Sequence, residues 1–245
     1  MRDTWIILGA TSTIARVFAR KLAARGVHLV LAGRDMDEIQ RSALDYMSRG
    51  AETATAVPFD AREPASFENI FDTLRDRDGA INVAVFVGSM PSQGDIDQTP
   101  ELIAGTVTDS FTGPAEFLTR LAPLLEEKGA GTVVGVGSVA GDRGRLGNYV
   151  YGASKAGFHT YLSGLRNRLA RSGVHVMTVK PGTVDTAMTW GMDQLPFLAQ
   201  PEDVANDILR GIEKKRNIIY TPKIWWLVMT VIRSIPEMIF KKLKI

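Results

Sequence analysis

The chain has 245 residues and no cysteine. That absence excludes disulfides, thiolate metal sites and cysteine nucleophiles together, and it suits a reducing cytoplasm. Histidine is scarce as well: His28, His159 and His175 are scattered, and no two have the spacing of a ligand pair. Each is expected to be a packed or surface side chain, and no metal site is expected. An excess of one charge sign is also missing. The 29 Lys and Arg residues against 27 Asp and Glu leave a formal charge of +2, which gives no electrostatic footprint for nucleic acid. No run reaches the ~18 apolar residues of a membrane-spanning helix, and the apolar stretch from Thr4 to Gly9 is too short for a signal peptide. Repeats, low-complexity stretches and Pro/Ser-rich linkers are absent, so one domain is expected over residues 1–220, with a tail of different character at 221–245.

What is present is a regular alternation, in a chain long enough and 45% hydrophobic enough to bury a core. Short apolar runs at Trp5–Leu8, Val27–Leu31, Ala54–Val57, Ile81–Val87, Gly131–Val136, Val174–Val179 and Asn217–Tyr220 read as strands. Helical spacing of apolar residues lies between most of them, as in Ile14, Val17, Phe18 and Leu22, or Phe67, Ile70, Phe71 and Leu74. Strands that are apolar throughout are buried on both faces, and strands alternating with helices imply right-handed βαβ units. The expected fold class is α/β: a doubly wound, Rossmann-type parallel sheet of about seven strands with helices on both faces. A five-stranded, flavodoxin-like sheet would leave two of the strand candidates unused.

The first strand runs into Gly9-Ala10-Thr11-Ser12-Thr13-Ile14-Ala15. A turn of small residues there lets backbone N–H groups approach a pyrophosphate, which the following helix N-terminus also attracts. Only Gly9 remains of the usual glycines, so an ordinary βα turn is the alternative; the hydroxyls of Thr11, Ser12 and Thr13 favour phosphate. At the tip of the second strand Gly33 stands where an NAD site would put a carboxylate, and Arg34 follows. A guanidinium there suits a 2′-phosphate, which favours NADP(H) over NAD(H). Asp35 beside it argues the other way, and an exposed loop charge is the alternative for Arg34.

The fifth strand candidate is followed by Gly137-Ser138, and 13 residues after Ser138 comes Tyr151-Gly152-Ala153-Ser154-Lys155. Tyr151 and Lys155, at i and i+4, share one helical face. A free phenol titrates near ~10, so a neighbouring ammonium is needed to stabilise the phenolate if the tyrosine is to trade protons near neutral pH. Lys155 is expected to lower the phenol and to hold a cofactor ribose, while Ser138 at a strand end hydrogen-bonds the substrate oxygen. Tyr149 competes as the tyrosine, but its i+4 residue is Ala153.

With these elements in this order, the chain resembles the short-chain dehydrogenase/reductase family from Thr4 to about Tyr220. The resemblance is carried by the turn from Gly9 to Ala15, by Phe59-Asp60-Ala61, by Gly137-Ser138, by Tyr151 to Lys155, and by Lys180-Pro181-Gly182-Thr183-Val184-Asp185-Thr186. It implies an oxidoreductase that exchanges ketone and secondary alcohol, with Tyr151 as proton donor. It further implies that Asp60 and Ala61 flank an adenine and that Gly88 lies along the cofactor. Pro181, Gly182, Thr183 and Thr186 would then meet the nicotinamide or the pyrophosphate. A dimer or tetramer built through long helices such as 102–125 and 151–171 is the family habit. The departures are Phe86-Val87-Gly88-Ser89, where the family has Asn-Asn-Ala-Gly, and Ser110, where it has the Asn of a proton relay. Ser110 is expected to hold the relay water by its hydroxyl; an inactive NADP-binding regulator is the rival reading.

The tail changes register, from Lys223-Ile224-Trp225-Trp226-Leu227-Val228-Met229 to Ile239-Phe240-Lys241-Lys242-Leu243-Lys244-Ile245. Paired tryptophans flanked by cations suit a membrane interface at the inner surface, and they suit a pocket cap or an oligomer contact equally. Together with Gly88 to Gly94 the tail is similar to a subgroup that reduces a 2-keto pentose on a polyprenyl phosphate. The expected substrate is therefore a small-molecule or lipid-linked carbonyl compound; a soluble 3-ketoacyl or general carbonyl reductase is the alternative.

Overall fold

The strands β1 (Thr4–Leu8), β2 (His28–Gly33), β3 (Thr53–Pro58), β4 (Ile81–Val85), β5 (Thr132–Val136), β6 (His175–Pro181) and β7 (Ile218–Thr221) form one parallel sheet. The structure is a computed structural model and describes residues 2–75, 77–191 and 195–243. Strand order is β3-β2-β1-β4-β5-β6-β7, so the direction of winding reverses between β1 and β4. This is the doubly wound α/β architecture expected from the alternation. Helices α1 (Thr13–Ala23), α2 (Met36–Ser48), α3 (Glu68–Asp72), α4 (Gln93–Gln98), α5 (Leu102–Val107), α6 (Gly113–Lys128), α7 (Tyr149–Leu169) and α8 (Pro201–Glu213) complete the crossovers.

Successive strand residues point to opposite faces, and each face has its own core. Trp5, Ile7, Leu29, Leu31, Val134 and Met177 pack on one side against Phe18 and Leu22 of α1 and Val204 and Ile208 of α8. Ile6, Leu8, Val30, Val83, Val133 and Val176 pack on the other against Phe117 and Leu121 of α6 and Phe158 and Leu162 of α7. Burial on both faces explains why the strands lack a polar alternation.

Several boundaries differ from the sequence reading. β4 stops at Val85 rather than Val87, because the chain leaves the sheet after the Phe86 N–H donates to the Leu8 carbonyl at 2.9 Å. The single helix expected from Leu102 to Leu125 is interrupted by a π turn at Thr108–Thr112. Such a bulge widens the helix and re-aims its side chains, and it recurs at functional sites. Here Asp109 of the turn takes a bidentate pair from Arg62, both bonds 2.7 Å, which a regular helix would not have signalled. The helix expected from Tyr151 to Arg171 begins at Tyr149 and ends in a short 3-10 turn at Ala170–Ser172.

The tail folds onto the body as α9 (Ile224–Ser234) and α10 (Glu237–Phe240). Trp225 and Met229 are buried against Val139. Arg143 donates to the carbonyls of Ile232 (2.7 Å) and Ile235 (2.6 Å), pairs with Glu237, and lies 3.6 Å from the Phe240 ring centroid. Lys244 and Ile245, the last residues of the expected tail, lie outside the described residues. No described helix is long and apolar enough to cross a membrane.

Candidate active site

A cleft of about 370 Å³ opens at the carboxyl ends of the strands, over the β1/β4 switch point. Open α/β sheets bind ligands at this edge, because the diverging loops leave a crevice there. The cleft is lined by Gly9, Thr11, Ser12, Thr13, Ile14, Arg34, Asp60, Ala61, Gly88, Ser138, Tyr151, Lys155, Pro181, Gly182 and Thr186. Residues from seven separate stretches of sequence thus line one cleft. Thr183 does not line the cleft. Its hydroxyl donates to the Pro196 carbonyl and ties down the loop instead.

Ser138 caps the 3-10 turn Val139–Asp142 that leaves β5, and its hydroxyl accepts from the Ala140 N–H at 3.1 Å. Tyr151 and Lys155 rise from the first turns of α7 and are both buried. Burial pushes the Tyr151 phenol up to about 12, with the Ser138 hydroxyl pulling in the opposite direction. Burial brings the Lys155 ammonium down to about 8. Lys155 Nζ donates to the carbonyls of Val87 (3.3 Å) and Val136 (3.2 Å) and lies 5.8 Å from the Tyr151 ring centroid. The phenol is therefore not lowered by Lys155 as the sequence led us to expect. Desolvation outweighs the Ser138 hydrogen bond, and the protonated phenol is the resting form.

Tyr149 is not part of this group. Its hydroxyl donates to Asp97 at 2.5 Å, and that carboxylate raises the phenol further. Ser110 is fully buried in the π turn, where its hydroxyl bonds the N–H and carbonyl of Ser89, each at 3.3 Å. It sits beside Gly88, across which Lys155 approaches: a Cβ on Gly88 would lie 3.0 Å from Lys155 Nζ and 3.4 Å from Ser110 Oγ.

A second layer behind Ser138 escaped the sequence reading. The Ser138 N–H donates to His159 Nε2 at 3.3 Å, and His159 Nδ1 lies 3.8 Å from Asp142. The Asp142 carboxylate, 2% exposed, accepts from Lys180 Nζ at 2.5 Å and from the Tyr220 hydroxyl at 2.6 Å. Burial and the nearby Lys180 charge bring His159 down to about 3, so the imidazole is neutral and can accept at Nε2. His159 is a packed histidine, as expected, but one whose acceptor holds the backbone of the serine. The signal was present as spacing alone: His159 stands four residues after Lys155, on the same helical face.

The nucleotide half of the cleft follows from β1, α1 and β2. Gly9 has φ +78, and a Cβ there would fall 3.1 Å from the Phe86 backbone, so this position demands glycine. Ser12 occupies the α1 N-cap without a side-chain cap bond, which leaves its hydroxyl and the first-turn N–H groups at the cleft for an anion. Asp35, the residue that argued for NAD, is absent from the lining and instead caps α2, accepting from the Glu38 N–H at 2.9 Å. Arg34 lines the cleft beside Gly33. Further lining residues not foreseen, among them Phe86, Ala187 and Met188, carry no polar signature by which sequence could single them out.

Known proteins resemble this chain in sequence and fold. Residues 3–195 match the family model for short chain dehydrogenases. An uncharacterized oxidoreductase of Streptomyces coelicolor is 33% identical over 240 residues, spanning 97% of this chain and 94% of that one. Another uncharacterized oxidoreductase, from Mycobacterium tuberculosis, is 30% identical over 239 residues, spanning 97% and 96%. Among solved structures, a short-chain dehydrogenase from Sphingobium yanoikuyae in complex with NADPH superimposes with a TM-score of 0.82 at 26% identity, covering 97% of both chains.

Proposed function

The chain belongs to the short-chain dehydrogenase family and is an oxidoreductase that exchanges CH–OH and C=O; from that premise we propose that it reduces a ketone with NADPH, with Tyr151 as proton donor. The observation that carries the reading is the convergence of Ser138, Tyr151 and Lys155 on the cleft floor, with the phenol held in its protonated form by burial. The nucleotide groove supports the cofactor. Gly9 leaves room for a close backbone approach, the α1 N-terminus suits a pyrophosphate, and Arg34 suits a 2′-phosphate while Asp35 is engaged elsewhere. A reduced nicotinamide bound there supplies the hydride.

The residues divide the remaining work. Ser138 orients the carbonyl oxygen, and Tyr151 gives that oxygen its proton as charge develops on it. Lys155, whose ammonium already faces two backbone carbonyls, holds the ribose and stabilises the phenolate left behind. Ser110, in van der Waals range of the same Gly88 that Lys155 borders, returns protons through water. Asp60 and Ala61 flank the adenine, and the Arg62–Asp109 pair pins that loop to the π turn. The substrate is a small or lipid-linked carbonyl compound, keto-sugars included, and the enzyme works in the cytoplasm or at the inner membrane surface as a dimer or tetramer.

Tyr151→Phe tests the assignment. NADPH binding, followed by fluorescence, stays within about threefold of wild type, while turnover of a ketone panel falls by about 10²- to 10⁴-fold. Retained turnover refutes the role of Tyr151, and loss of NADPH binding in wild type refutes the cofactor.

A further inference from the structure

We propose that the outer face of α9 and α10 is a docking surface for an anionic lipid bilayer. The helices have two different sides. Trp225 and Met229 of α9 are buried, whereas Trp226, Leu227 and Val231 are 60%, 53% and 56% exposed, and Met238 and Ile239 of α10 are 77% and 55% exposed. Side chains of this size are normally drawn inside, and a contiguous exposed set marks a contact surface. Nothing in the inner packing requires them, because Trp225 and Met229 already fill the contact with Val139.

Charge decides the occupant. Lys223, Arg233, Lys241 and Lys242 are exposed around the apolar set and make no salt bridge among the described residues. The one acid between Lys223 and Leu243 is Glu237, and Arg143 of the body already holds it. A second copy of the chain on this face, related by a two-fold axis, would bring cation against cation with no free carboxylate to meet them. Anionic headgroups complement all four, and an exposed Trp226 flanked by cations matches the interface of a bilayer, the indole at headgroup depth and the lysine stems reaching water.

The surface also lies where a substrate would enter. The Trp225 indole occupies the space that a Gly182 side chain would take on the cleft wall, and its other side meets Phe197, 5.9 Å between ring centroids at 86°. One residue of α9 therefore separates the cleft from the exposed face. A bilayer on that face would place its headgroup layer next to the cleft rim.

The experiment uses the full chain, free of nicotinamide and carbonyl substrate, so that it reads the surface independently of the redox reading. Co-sedimentation is measured with vesicles of phosphatidylcholine alone and of phosphatidylcholine and phosphatidylglycerol in equal parts, at low and high salt, alongside sedimentation velocity without lipid. Binding is expected with the anionic vesicles, weakening as salt shortens the Debye length from ~10 Å at 0.1 M to ~3 Å at 1 M. Lys241→Glu with Lys242→Glu lowers partitioning at least about thirtyfold, since each cation near such a surface contributes about fivefold. Trp226→Ser with Leu227→Ser lowers it about tenfold or more and abolishes the blue shift of tryptophan emission on binding. All four positions are exposed, and unchanged thermal melts show that the variants fold. Wild type that stays in the supernatant overturns the proposal, as do variants that bind like wild type. A dimer that dissociates on the Trp226 and Leu227 substitutions assigns the face to a second copy and overturns it as well.

Discussion

Replacing Asp142 by Asn tests whether the layer behind Ser138 is what holds it. The carboxylate is 2% exposed and is the acceptor for Lys180, whose side chain is 11% exposed, and for the Tyr220 hydroxyl. Removing one partner of a buried pair costs about 3–5 kcal/mol, because the other charge is left without compensation. Lys180 retains slight contact with water, and the amide still accepts one bond, so the lower end applies: about 3 kcal/mol. For a domain of this size 1 kcal/mol corresponds to about 2–4 °C, which gives a fall in Tm of about 6–12 °C. The control is Asp142→Leu combined with Lys180→Met. Replacing a buried pair by apolar groups is often neutral, so the double variant should recover most of the loss, with a coupling energy above about 1 kcal/mol. Denaturant and thermal unfolding read both quantities. Asp142→Asn also loosens the turn that presents Ser138, and ketone turnover should fall more than NADPH affinity. An Asn variant within about 0.5 kcal/mol of wild type, or losses that simply add in the double variant, would refute the reasoning.

Three further outcomes follow from the cleft. Ketone reduction, assayed by NADPH oxidation, should decline as pH rises through about 8, because the lowered Lys155 is an ammonium below that value and a neutral amine above it; a flat profile from pH 6 to 10 contradicts this. Arg34→Ala should weaken NADPH binding by about 10- to 100-fold, the range of a charge-assisted guanidinium–phosphate contact, and leave NADH binding nearly unchanged in titration calorimetry. Gly88→Ala puts a Cβ 3.0 Å from Lys155 Nζ, so the ammonium must shift by a few tenths of an ångström, and turnover should fall about tenfold or more while the melting curve moves little.

How much of this was legible in sequence depends on whether the information was local. The seven strands were, since burial on both faces leaves unbroken apolar runs, and so was the trio, since Tyr151 and Lys155 are one turn apart and Ser138 ends a strand. The π turn was not. Its side chains are held at long range: Asp109 pairs with Arg62, 47 positions away, and Ser110 bonds Ser89, 21 away. The Asp142 layer was hidden for the same reason: its partners come from β6, α7 and the end of β7. Arg34 was legible as a candidate, yet only the structure shows that Asp35 caps α2, accepting from the Glu38 N–H, and does not line the cleft. The tail was legible as amphipathic, but which tryptophan faces inward is set by the Val139 contact, not by any feature of the tail itself.

The electrostatics of Tyr151 and Lys155 bear on the protonation state from which the pair works. Burial disfavours whichever form is charged, so it raises the phenol and lowers the ammonium at once. The two shifts narrow the range in which phenolate and ammonium coexist, and at neutral pH the phenol keeps its proton while Lys155 is still charged. That is the state needed to protonate an alkoxide: the proton is already on Tyr151, and the adjacent charge stabilises the phenolate as the proton leaves. Oxidation of an alcohol starts from the opposite state, a phenolate that must first be formed against the desolvation that raised it. The same desolvation makes the phenol a weaker acid in the reductive direction, so forming the phenolate is costly either way, and that cost diminishes as pH rises toward about 12. Lys155, held under the Val87 and Val136 carbonyls, is the cation placed to offset it.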